Sequence, residues 1–369
     1  MTTPSGSVSF IISARASLVD VEVETVRTDA TQSFLKQETL LVEIVTSDGL
    51  TGWGYSYTIG TGGRAVLEML NGHLLPVVHG LDTSRIEAVW YAMFNSTRAT
   101  TVGPITSLAL AAVDIALWDL AGKRAALPLW KLAGGFRQEV PLYDTEGGWL
   151  HLSTEELVSG ALASKAAGWS GVKLKVGRPT AVEDAARLMA VRDAVGREMD
   201  IMVDANQSMT AAEAIRRAAA FEPVGLAWLE EPLPAEDISG HVRLAASTAI
   251  PIAVGESIYG IGHFREYLQR QGAGIVQVDV ARIGGITPRL KVAHLAEAFN
   301  VAVCPHFLME IHVSLTAAIP NGHYVEHIPQ LRAITHGEVE IRNGFAVAPS
   351  EAGIGIDWDF DAIDNRLVG

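Results

Sequence analysis

Asp204, Glu230 and Glu256 stand 26 residues apart, and each closes a short apolar run: Ile-Met-Val-Asp, Ala-Trp-Leu-Glu and Ala-Val-Gly-Glu. One strand, one helix and two loops fill such a step, so the three carboxylates fall at the ends of neighbouring parallel strands. Three anions gathered at one point repel unless a cation lies among them. Their hard oxygens, in a number that Mg²⁺ accepts, leave positions open for water and substrate, and the lack of His or Cys donors argues against zinc. Read singly, each acid would serve as a helix N-cap; three at one interval are not explained that way. Alternation lets only one of Glu230 and Glu231 face inward, and the interval selects Glu230. Asn206, in Val-Asp-Ala-Asn, is a further ligand-orienting or substrate-binding candidate.

A second group lies on the flanks of this triad. In Gly-Val-Lys173-Leu-Lys175 the two lysines share one face of a strand. Two ammonium groups in one small volume lower each other's pKa, and a metal does so again, so Lys175 is expected to be neutral enough to take a proton and Lys173 to bind a substrate carboxylate. The plain alternative is a pair of edge lysines that snorkel to water. Asp279 ends Ile-Val-Gln-Val-Asp and His306 follows Val-Ala-Val-Cys-Pro, about one βα unit on. A carboxylate holding one ring N–H makes His306 a general acid or base; without Asp279, a buried structural histidine would explain it equally well. Glu326, after His-Tyr-Val, is expected to point into the same cavity and, kept protonated, to donate to a developing oxyanion; a surface ion pair is the competing reading. His312, His323 and His327 have no such partner and receive no role.

These side chains need a closed parallel barrel to bring them together. From residue 140, short Val/Ile-rich runs at 140–144, 171–175, 200–204, 226–230, 252–256, 275–279, 301–305 and 323–326 alternate with Ala-rich helical stretches. Eight such units predict a (β/α)₈ barrel with its site at the C-terminal strand ends. Before them, residues 8–26 and 39–57 alternate as antiparallel strands around a Ser-Asp-Gly turn at 47–49, and 63–134 is helical, with 105–121 apolar nearly all round. The expected organisation is an α/β chain: an α+β capping domain over 1–138, the barrel over 139–345, and a tail, 346–369, that returns to the cap.

Composition excludes several functions. The 369 residues carry a formal charge of −14 without a block of Lys or Arg, which disfavours nucleic acid and anionic membranes as partners. The longest apolar candidate for a membrane span, 107–118, is interrupted by Asp114. Cys304 is the single cysteine, and the first seven residues lack the features of a secretory signal, so the cytoplasm is the expected compartment. Eight tryptophans and a Leu/Ile-rich cap leave room for a homo-oligomer.

Taken together, the Lys-x-Lys pair, the ordered acids and His306, the Asp-Ile-Ala-Leu-Trp-Asp-Leu-Ala-Gly-Lys helix at 114–123 and Leu-Ala-Gly-Gly at 132–135 resemble the enolase superfamily, mandelate racemase subgroup. That resemblance covers essentially the whole chain. It implies one Mg²⁺ on Asp204, Glu230 and Glu256, with Lys175 and His306 as bases on opposite faces of a small carboxylic acid, and removal of the proton beside its carboxylate. The stretch 305–312 also resembles that of galactarate and talarate dehydratases, and the polar segment 27–38 suits a lid over a polyhydroxylated substrate. Dehydration of an acid sugar to a 2-keto-3-deoxy acid is therefore expected. The alternatives are a racemase or epimerase of a 2-hydroxy or amino acid, and a non-catalytic metal-containing binding protein. Asp144, Thr145 and Trp149 are candidate substrate contacts in a first-strand segment that matches no one specificity.

Overall fold

The computed structural model describes residues 8–368, with the side chains of Glu24 and Leu35 left aside. The reading of the first seven residues lies outside the described residues, as does Gly369 of the expected tail. Strands β1 (Ile11–Thr28), β2 (Ser33–Thr46) and β3 (Thr51–Thr58) form an antiparallel sheet in that order. The turn at 47–49 joins β2 to β3, with Gly49 at φ 82°. The first two strands run further than alternation alone predicts. Segment 27–38, expected as a separate lid, is the far end of the β1–β2 hairpin, closed by a turn in which Asp29 N donates to Gln32 O at 3.1 Å. Cross-strand bonding extends these strands where the side-chain pattern has already lapsed, past a register shift between Glu22 and Arg27.

Helix Pro104–Ala125 lies under this sheet and is buried over most of its circumference. Gly52 and Gly54 of β3 admit it closely: a Cβ on Gly54 would stand 2.2 Å from Ala112 O, and one on Gly52 2.5 Å from Ala116 O. By length and mean hydropathy this helix could cross a membrane, yet 83% of its most apolar window is buried within the protein, as in a core helix. Two aspartates fix it to other parts of the chain. Asp114 accepts from Thr287 N (2.9 Å) and Thr287 Oγ1 (2.7 Å), and Asp119 accepts from Trp53 N (2.8 Å) and Ile354 N (3.0 Å).

Eight parallel strands follow: β4 (Glu139–Asp144), β5 (Gly171–Lys175), β6 (Asp200–Asp204), β7 (Trp228–Glu230), β8 (Ile252–Val254), β9 (Ile275–Val276), β10 (Ala302–Val303) and β11 (Val325–His327). Each of β4 to β9 pairs with the next, and β11 pairs with β4. A parallel bridge from Val303 to Gly322 spans the remaining seam, so the chain is a closed (β/α) barrel with an α+β cap. The hairpin β12 (Ile341–Arg342) and β13 (Phe345–Val347) adds antiparallel to β4. Several strands are shorter than predicted, leaving Glu256 and Asp279 beyond the ladder. Inside, Tyr143, Met202, Trp228, Ala253 and Cys304, from β4, β6, β7, β8 and the residue after β10, pack together as the floor beneath the mouth. Capping boxes start the first two barrel helices, Ser153 with Glu156 and Thr180 with Glu183.

Candidate active site

Strand alternation explains which side chains enter the mouth. Lys173 and Lys175 point inward from β5, while Leu174 packs outward against the helices. Asp204 ends β6 and Glu230 ends β7, with Glu256 two residues past β8; one oxygen from each lies within 4.8 Å of the others. Glu230 Oε2 accepts from Trp228 Nε1 (3.1 Å), one pleat deeper on the same strand, and from Gln277 Nε2 (2.7 Å). Lys173 Nζ donates to Glu230 Oε1 (2.9 Å) and lies 2.8 Å from Glu326 Oε1. Lys175 Nζ donates to Asp204 Oδ2 at 2.5 Å.

On the opposite flank, His306 Nδ1 meets Asp279 Oδ2 at 2.9 Å, and its Nε2 faces Glu256 Oε2 at 3.3 Å. Burial opposes the charged imidazolium, but Glu256 and Asp279 outweigh it and raise the His306 pKa. Burial likewise opposes ionisation of Asp279, yet the bond from His306 brings its pKa down to about 2. Arg282, three residues after Asp279, donates to Glu256 O (3.0 Å) and to Tyr57 Oη (3.1 Å). Buried Glu231, in a left-handed conformation at φ 37°, accepts from Gln207 Nε2 (3.0 Å) and Ser257 Oγ (3.3 Å) beside the triad.

Two electrostatic expectations need correction. Lys175 does not have a lowered pKa among the protein's own charges: burial and Lys173 push it down, but Asp204 reverses the sign and it is raised. Glu326 is not held protonated. Burial favours the acid, but Lys173 overrides it and the carboxyl lies well below its ordinary range. Glu326 is therefore an acceptor, taking Thr145 Oγ1 at 2.7 Å and Phe307 N at 2.9 Å. Sequence order gives the charged groups but not which carboxylate meets which ammonium.

Among the expected substrate contacts, Thr145, Trp149, Lys173 and Asn206 line a small cavity at the barrel mouth. Asn206 Oδ1 is buried there without a partner. Asp144 does not line it. Tyr143 takes the inward position on β4, so Asp144 turns outward, where it bonds His327 Nδ1 (3.1 Å) and Gly147 N (3.1 Å). Sequence reasoning missed Tyr57, Arg282, Gln277 and Asp29. Gln277 carried a signal, standing two residues before Asp279 on one face. His312, assigned no role, accepts from Val280 N at 3.2 Å.

Two stretches of the chain match known families. Residues 13–134 match the mandelate racemase/muconate lactonizing enzyme N-terminal domain, and 156–362 match the enolase C-terminal domain-like family. The L-talarate/galactarate dehydratase of Salmonella typhimurium is 36% identical over 316 residues, 86% of this chain and 79% of that one. The 3,6-anhydro-alpha-L-galactonate cycloisomerase of Streptomyces coelicolor is 36% identical over 96% of this chain and 99% of its own length. The L-talarate dehydratase of Polaromonas sp. JS666, solved with Mg and L-glucarate, superposes with a TM-score of 0.92 at 36% identity, covering 98% of each chain.

Proposed function

The chain belongs to the mandelate racemase/muconate lactonizing enzyme family of the enolase superfamily, and from that premise we propose that it is a hydro-lyase converting an acid sugar to a 2-keto-3-deoxy acid. The observation that carries this reading is the carboxylate triad with an amine, Lys175, on one flank and a carboxylate-bound imidazole, His306, on the other. The dehydratase relatives support it. So does the buried, unpartnered Oδ1 of Asn206 beside the triad, a further oxygen suited to a hard cation or its water.

Asp204, Glu230 and Glu256 would hold Mg²⁺, which when bound supplies positive charge against the charge that builds on the substrate carboxylate as the α-proton leaves. Lys173, buried among acids, presents a fixed ammonium to the same oxygens. Lys175 and His306 divide the proton transfers. One takes the α-proton, breaking C–H as the electrons move toward the carboxylate. The other protonates the β-hydroxyl, so that C–O breaks, water leaves, and the enol product tautomerises to the ketone. The configuration at the α-carbon decides which group faces the proton. Asp279 fixes the imidazole so that Nε2 is the working nitrogen.

A second reading is isomerisation, favoured by the cycloisomerase relative and by the same two-sided arrangement, which can return a proton to the original carbon. Incubating the magnesium-loaded protein with acid sugars in D₂O separates the two. A 2-keto-3-deoxy acid establishes the first, and α-deuteration without keto product establishes the second. Neither outcome with any acid would reject catalysis and leave a metal-containing binding protein. Cytoplasmic residence, association with further copies of the chain, and the absence of nucleic-acid and membrane partners belong to the same proposal.

A further inference from the structure

We infer that the enzyme prefers monocarboxylic acid sugars, aldonates, over dicarboxylic aldarates, and that Asp29 at the tip of the β1–β2 hairpin makes the distinction. This rests on the acid-sugar reading above and narrows its substrate class. The mouth cavity has two unlike ends. The barrel supplies the charged one, with Lys173, Lys175, Arg282 and His306; the cap supplies Asp29, Gln32, Phe34 and Ile59.

Asp29 is 7% exposed. Its Oδ1 accepts from Thr31 N (2.7 Å), Thr31 Oγ1 (2.8 Å) and Gln32 N (2.8 Å), which shapes the turn. Its Oδ2 is buried with no partner. The turn needs one oxygen and an asparagine would provide it, so the second oxygen of a desolvated carboxylate is left over. Such an atom gains most from a hydroxyl donor, which the far end of an aldonate carries. The same atom repels a second carboxylate placed there.

No cation among the described residues lining the cavity is open to neutralise a second carboxylate. Lys173 is held by Glu230 and Glu326, and Lys175 by Asp204. Arg282 lies 3.4 Å from Glu256 and 4.0 Å from Asp279. Arg27, on the same hairpin as Asp29, turns away to Glu146, Gln330 and Pro329 O. The apolar residues of the lining are Phe34, Ile59, Trp149 and Ile328, which offer a second anion no charge.

The test is calorimetric binding to the magnesium-loaded protein of a panel of six-carbon aldonates, each paired with the aldarate of the same configuration. For the tightest pair, the aldonate is expected to bind at least about tenfold more tightly. Equal or tighter aldarate binding, or no binding by any aldonate, overturns the inference. Asp29→Asn keeps the turn and removes the charge, so the ratio should shift toward the aldarate by about tenfold; an unmoved ratio would show that Asp29 does not discriminate. Failure of every bound acid to exchange its α-proton would sink the proposed reaction while the affinity ratio still decides this point.

Discussion

Tyr57, on the capping sheet, donates its hydroxyl to Asp279 at 2.7 Å, on the same oxygen that His306 Nδ1 occupies at 2.9 Å. The cap thus reaches the carboxylate that orients the imidazole. Tyr57→Phe removes one donor from a fully buried acid and the acceptor of Arg282 Nε. Turnover should fall about 10–100-fold with an unchanged circular dichroism spectrum. Full activity would mean that the ring, not its hydroxyl, matters.

Lys175→Ala and His306→Asn should each lower kcat by about 10²–10⁴-fold, the usual contribution of a positioned acid or base. The two variants should differ in α-proton exchange. Only the one that keeps the abstracting base should still wash deuterium into recovered substrate, as read by NMR.

Chelation should abolish activity reversibly, and magnesium should stabilise the fold. At a hundredfold excess over its Kd the ion adds about 2.7 kcal/mol, a rise of several degrees in Tm by calorimetry. Asp204→Asn should weaken that rise, since one of the three converging carboxylates loses its charge.

Asp114, buried between cap and barrel, has its pKa pushed up to about 7 by desolvation, against opposing bonds from Thr287. The sign follows from linkage. A folded pKa above the unfolded value means that the native state holds the proton more tightly, so this contribution is complete below the ordinary range near 3.8. It is lost as pH rises from about 4 through about 7. The loss is on the order of 4 kcal/mol at 1.36 kcal/mol per pKa unit. Asp114→Asn should flatten this part of the stability curve in urea titrations between pH 4 and 8.

The barrel was legible because a βα repeat turns sequence distance into position around a ring. The 26-residue interval therefore carried spatial content, and alternation placed both lysines on one face. The same alternation already pointed Asp144 outward, since Tyr143 precedes it. Tyr57 could not be read in this way, as it meets Asp279 across 222 residues with no periodicity linking them. Asp29 was hidden for a related reason: its hairpin is extended by pairing rather than by its own side-chain pattern. The charge states of Lys175 and Glu326 depend on distances of 2.5 and 2.8 Å that no spacing specifies.

The contact between Asp119 and Ile354 has a consequence for biosynthesis. A ribosome delivers Asp119 long before it delivers Ile354, Trp358, which packs on Tyr55, and Val368, whose N–H bonds Leu18 O. Until residues 354–368 leave the exit tunnel, the sheet and helix made first lack these partners, whatever the staves have done meanwhile. A stop codon placed just ahead of Ile354 would release a polypeptide with nearly all its chemistry encoded and its opening segment unfinished.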